Sequence, residues 1–129
     1  MRAVRGSAAV ELALVLPLAL AAALALLQVG LVSKDALVVA QAAREGAREA
    51  AVSIEESRIR QAVLRAGDLA DARTAVDIDR AGTVGDPVTV RVRYRAPMVV
   101  PFVEWLFPDE VEVRAEATMR QETTGEGGG

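Results

Sequence analysis

Few residues in this chain could do chemistry, and the most conspicuous is a carboxylate in an apolar setting. Glu11 follows Gly6-Ser7-Ala8-Ala9-Val10 and precedes a run from Leu12 to Val32 whose one clearly polar member is Gln28. A charged side chain is costly inside a bilayer, about 2.5–3.5 kcal/mol at the centre of a span and less at its edge. At the start of a helix it also gains from the positive end of the helix dipole. Glu11 is therefore placed where a carboxylate can be kept and can attract a cation.

The other options are narrow. The chain has no Cys and no His among its 129 residues. That removes thiol nucleophiles, disulfides, and the usual imidazole acid/base and zinc sites. Ser7, Ser33, Ser53 and Ser57 lie in no nucleophile motif, and the acidic residues lack metal-loop spacing. An enzyme is not expected, and neither a cofactor nor a small-molecule substrate is implied. Aromatic residues are 3% and the net charge is −3, with no Lys/Arg cluster to follow a phosphate backbone, so nucleic acid is not an expected partner.

The elements that would position Glu11 begin with the apolar run itself. Its length, roughly 31 Å as a helix, matches the hydrocarbon thickness of a bilayer. A cleavable secretory signal has a shorter apolar region and a small-residue cut site. A retained anchor is the expectation, with the bilayer as its first partner. Arg2 and Arg5 ahead of the run predict a cytoplasmic N-terminus and a C-terminal part outside. Pro17 removes the hydrogen bond to the Ala13 carbonyl and predicts a bend. Ala19, Ala21, Ala23 and Ala25 form small-xxx-small pairs where a second helix could approach closely.

No breaker follows Ser33-Lys34-Asp35, so the helix is expected to run on to about Ala51. Gly46 is unfavourable there by about 1 kcal/mol against Ala, which points to close packing. Ser53-Ile54-Glu55-Glu56-Ser57 opens a second helix, and Gly67 is its expected stop. From Thr74 the apolar period changes to two. Val88, Val90, Val92 and Tyr94 alternate with polar residues, as do Val111, Val113, Ala115, Ala117 and Met119. Antiparallel pairing would set Arg91, Arg93 and Arg95 against Glu112 and Glu116 on a wet face. Between these strands, Pro97 to Pro108 holds the one Trp and both Phe residues. It is expected to cover one end of the core, or to expose an apolar patch. The divisions are a basic leader at 1–6, a transmembrane helix at 7–33, an α+β domain at 34–120 and a disordered tail at 121–129.

Three stretches give this frame a resemblance: Arg5 to Glu11, Ala13 to Pro17, and Ala43-Arg44-Glu45-Gly46-Ala47-Arg48. They resemble the TadE-like family of tight-adherence pilus systems, which is related in logic to prepilins and pseudopilins. The resemblance implies a pseudopilin-like α+β fold, with a long N-terminal helix extending into a small domain that has a second helix and a short antiparallel sheet. It implies cleavage between Gly6 and Ser7 by a membrane-embedded prepilin peptidase. Glu11 would then be the fifth residue of the mature chain, four from the new ammonium, and would set the register between subunits. The implied partners are that peptidase, other pilin-like subunits and inner-membrane assembly proteins. The implied location is the cytoplasmic membrane, or an extracellular filament built from it. The alternative is an uncleaved single-pass scaffold of the same machinery.

Overall fold

A computed structural model of the chain describes residues 2–82, 84–98 and 110–122. Its architecture is α+β, built on one long N-terminal helix. Helix α1 spans Arg2–Val52 and α2 spans Glu56–Gly67. A 3₁₀ turn at Asp71–Arg73 leads into β1 (Thr74–Arg80), then β2 (Pro87–Pro97) and β3 (Glu110–Arg120). The three strands form one antiparallel sheet in the order β1-β2-β3.

Helix α1 forms because Ala and Leu, the strongest helix formers, dominate it from end to end. It begins at Arg2, so the basic leader expected ahead of the helix is its first turn and a half. Pro17 lies inside it, and the helix continues through it. Ser33 also stays helical, its hydroxyl donating to the Val29 carbonyl at 2.8 Å.

The core lies where the upper half of α1 crosses the sheet. Val39, Ala42, Ala43, Ala47, Ala50 and Ala51 form the buried stripe of α1. They meet Ile59 and Val63 of α2, Val88, Val90, Val92 and Ala96 of β2, and Val113 of β3. Nearly every helix residue in this stripe is Ala, so the helix axis can lie close to both partners. The closest point is Gly46. A Cβ there would stand 2.4 Å from Val63 Cγ2 and 3.1 Å from Val90 Cγ1.

The end of α1 is closed from a distance. Its last turn holds no basic residue. Arg80, at the end of β1, donates from Nη1 to the Ala50 carbonyl at 2.9 Å and from Nη2 to the Ser53 carbonyl. The Glu122 amide donates to the Ala51 carbonyl at 2.8 Å. These bonds satisfy carbonyls that any helix end leaves open, and they set a cation at the negative end of the dipole. Gln121 belongs to the same closure. Its amide and carbonyl bond Asp86 and Gly85, and its side chain donates to the Ala81 carbonyl at 2.9 Å. It is 4% exposed, which moves the start of the expected tail past residue 121. Residues 123–129 lie outside the described residues.

Helix α2 stops at Gly67 as expected, and the details at its two ends differ from the simple pattern. Gly67 is the last residue of α2, and it is Asp68 that takes the left-handed conformation, with φ 49°. A Cβ on Gly67 would come within 3.0 Å of Val38 Cγ1 and 2.8 Å of Leu69 Cγ, so glycine serves packing here rather than the turn. At the other end, Glu55 occupies the N-cap without a side-chain bond, while the Ser53 hydroxyl accepts from the Glu55 amide at 3.3 Å.

On the outer face of the sheet, Arg91 stands opposite Glu116 and bonds it at 3.1 Å. The register also sets Arg93 opposite Arg114, two like charges that the alternation alone did not separate. Each turns to a neighbour instead. Arg93 reaches Asp77 of β1 at 3.0 Å, and Arg114 bonds Glu112 along its own strand at 2.8 Å. That bond from Arg114 holds the Glu112 carboxyl below its usual range. Arg95 is left to pair with Glu110 at 3.8 Å. All these groups are exposed, so solvent screens each pair and the face is solvated.

The tight crossing at Gly46 predicts a steep size dependence. Gly46→Ala should destabilise the full chain by about 1–3 kcal/mol and Gly46→Val by more, because Val63 and Val90 must both move. Gly30→Ala, where a Cβ meets nothing within 4 Å, should not. Urea unfolding in detergent micelles, followed by circular dichroism, checks the order.

Candidate membrane anchor and processing site

Helix α1 has two lives. From residue 4 to residue 27 its side chains are exposed, apart from partial cover at Leu24 and Ala25. Leu12, Leu14, Leu16, Leu18, Leu20 and Leu26 are among the exposed apolar side chains. From Gln28 onward the helix belongs to the domain. Gln28 is 3% exposed, and Val32 packs against the core. Gln28, Val29, Val32 and Ser33 line a cavity of about 300 Å³ with Val111 of β3. The sheet thus reaches down α1 to the level of Gln28, five residues below the sequence-based boundary at Ser33.

This shift leaves residues 7–27 free of the domain, roughly 31 Å of helix, still enough to cross the hydrocarbon of a bilayer. It is the one helix among the described residues long and apolar enough to do so. A soluble domain could not leave this much Leu and Val in water, because an apolar patch far larger than a few hundred Å² needs a partner. The helix therefore fits a single-pass membrane protein, with the domain seated directly on the span.

The residues marked by the sequence sit as follows. Gly6, Ser7 and Glu11 are all exposed in the first turns of α1. Ser7 and Glu11 are four apart and so share a face. A Cβ on Gly6 would meet nothing within 4 Å, so the fold does not require glycine there. Its effect within the chain is to weaken the helix locally, by about 1 kcal/mol against Ala. Ala19, Ala21 and Ala23 are exposed and Ala25 is partly covered, so no helix among the described residues packs against them. Gly46 lies far from these, inside the domain core. The structure brings Gly6, Ser7 and Glu11 together along one helix and separates them from Gly46 by the whole span.

Two things were not legible in the sequence. Gln28 reads as a stray polar residue in a span, and its burial marks where the domain begins. Arg80 reads as the last charge of a strand, and it closes α1. The aromatic stretch expected between β2 and β3 falls mostly within 99–109, outside the described residues. Among the described residues no three acidic side chains gather where a metal ion could be held.

The division of α1 predicts a labelling pattern. The chain has no Cys, so single thiols are clean reporters. In liposomes, Leu18→Cys and Leu27→Cys should resist a charged maleimide that labels Val52→Cys readily. Fast labelling at Leu18 would remove the span.

Residues 6–48 match the family model described as TadE-like protein. No curated protein matches the chain, and no solved structure does. The match begins at the Gly6-Ser7 bond and ends at Arg48, one turn before α1 ends, so it lies wholly within that helix. What is similar to a TadE-like protein is the helix that anchors this chain and organises its domain.

Proposed function

We propose that the chain is a pilin-like, pseudopilin subunit of a tight-adherence type pilus or a related secretion system. It acts by assembly, not catalysis. The observation that carries this reading is the double use of α1. One unbroken helix is both an exposed apolar span and the spine of the domain, and the segment similar to TadE-like proteins runs along it. A subunit built this way can be stored in the cytoplasmic membrane, with its N-terminus inside and its domain outside. It can then be packed through the same helix against other pilin-like subunits and inner-membrane assembly proteins.

On this reading a prepilin peptidase cuts after Gly6. The open space around Gly6 lets another molecule approach the backbone, and the local weakness of the helix eases its unwinding. The cut leaves an ammonium on Ser7, one helical turn from Glu11. In lipid such a pair, within one chain or between neighbours, offsets the burial of both charges. It then fixes how far one subunit slides along the next.

A second reading has its own support. Gly6 and Ser7 lie inside α1, four residues past its start, and a bond in a helix resists cleavage. An uncleaved single-pass scaffold of the same machinery would show this arrangement as its final form.

The mass of the intact protein separates the two. Co-expressed with an active prepilin peptidase, the subunit should begin at Ser7. A chain retaining residues 1–6 under those conditions would leave the scaffold. Glu11→Ala should strongly reduce incorporation into the assembled structure while leaving the domain folded. Unchanged processing and incorporation would end the register role.

A further inference from the structure

The segment Ala43–Arg48 divides into two halves in the fold. Ala43, Gly46 and Ala47 are buried and carry the packing of α1 on α2 and β2. Arg44, Glu45 and Arg48 are exposed. Eight other arginines of the domain each hold an ion pair or a hydrogen bond. Among the described residues, Lys34, Arg44 and Arg48 have no such partner. Arg44 and Arg48 are also four apart, a spacing at which like charges repel and weaken a helix. Arg65 and Arg120 also lack an ion pair or hydrogen bond among the described residues, but Arg44 and Arg48 are the two such guanidinium groups that lie together on one face of α1.

They stand in a row. Lys34, Leu37, Gln41, Arg44 and Arg48 succeed one another by three or four residues, and all five are exposed. This is the spacing of a helix-packing seam. Alongside it, Gln41, Glu45, Ala62, Arg65 and Ala66 line a groove of about 400 Å³ between α1 and α2. Glu45 and Arg65 balance within the groove, so the excess charge of the face comes from Lys34, Arg44 and Arg48 on the stripe.

We propose that this stripe docks the helix of a second, different membrane-anchored subunit, one with carboxylates at the height of Arg44 and Arg48. The inference rests on reading the chain as an anchored single-span subunit. Two copies held in one bilayer by the same span stand parallel and at equal height. Packing along the stripe then sets Arg44 against Arg44 and Arg48 against Arg48, with Lys34 against Lys34 below. That repulsion selects against the homodimer, as like charges along a parallel helix pair select against self-pairing. A partner with carboxylates replaces two repulsions with two ion pairs. These pairs lie above the membrane in water, so they choose the partner, while contact along the spans supplies area.

The absence of Cys makes the test direct. Leu37→Cys places one thiol on the stripe, at a side chain 73% exposed. The acidic probe is the full chain carrying Arg44→Glu, Arg48→Glu and Leu37→Cys, with a different tag from the otherwise unaltered Leu37→Cys chain. Both are reconstituted together in phosphatidylcholine liposomes at low salt and oxidised. The mixed disulfide should exceed its statistical share about fivefold, the factor expected of two exposed ion pairs. The excess should vanish at about 1 M salt, where screening is nearly complete. The same pair with its thiol moved to Ser57→Cys on α2 should show no excess. A statistical distribution of dimers at low salt, or a predominance of the basic homodimer, would overturn the proposal. The readout does not involve the Gly6-Ser7 bond, so failure of cleavage and failure of this pairing are told apart.

Discussion

Everything in this protein depends on how closely one helix can lie on its neighbours. The buried stripe of α1 is made of Ala, with Gly46 at the point of closest approach to Val63 and Val90. Among the described residues, the largest fully buried side chains are Ile and Val. Among these residues, stability comes from close contact rather than from bulk. Small residues on α1 supply that contact by removing the gap between layers. The same choice explains why a three-stranded sheet, with only β2 shielded on both edges, can hold together without disulfides.

The second consequence concerns the membrane. Because α1 is also the span, the domain cannot be loosely tethered. Its lower edge meets α1 at Gln28, directly above the exposed Leu-rich turns. The closure at the far end, by Arg80, Gln121 and Glu122, ties the last strand to the top of the same helix. The domain is thereby tied to both ends of the upper half of α1.

Much of this could be seen in the residues. The change of apolar period at Thr74 and the two alternating runs at 88–94 and 111–119 correspond to the sheet, and the pairing of Arg91 with Glu116 follows from them. The unbroken Ala-rich pattern after Ser33 corresponds to the extension of α1. What could not be seen depends on residues far apart in sequence. Arg80 closes a helix that ended 28 residues earlier. Arg93 and Arg114 find partners sideways because the register opposes them. Gln121 looks like the start of a polar tail until the turn at 85–86 offers its backbone. Of the anchor's marked residues, Gly6, Ser7 and Glu11 lie close together simply because they are a few residues apart on one helix. Where the domain first meets α1 was not legible, since that is set by packing near Val111 and not by hydropathy.

The central claim is that one rigid helix runs from the bilayer interior to the top of the domain. Spin labels at Leu20→Cys and Arg48→Cys, in the full chain in liposomes, test it through the distance between them. A single α-helix places these positions about 42 Å apart, with a narrow distribution. A distribution centred well below that, or broad enough to require a hinge between span and domain, would contradict the account.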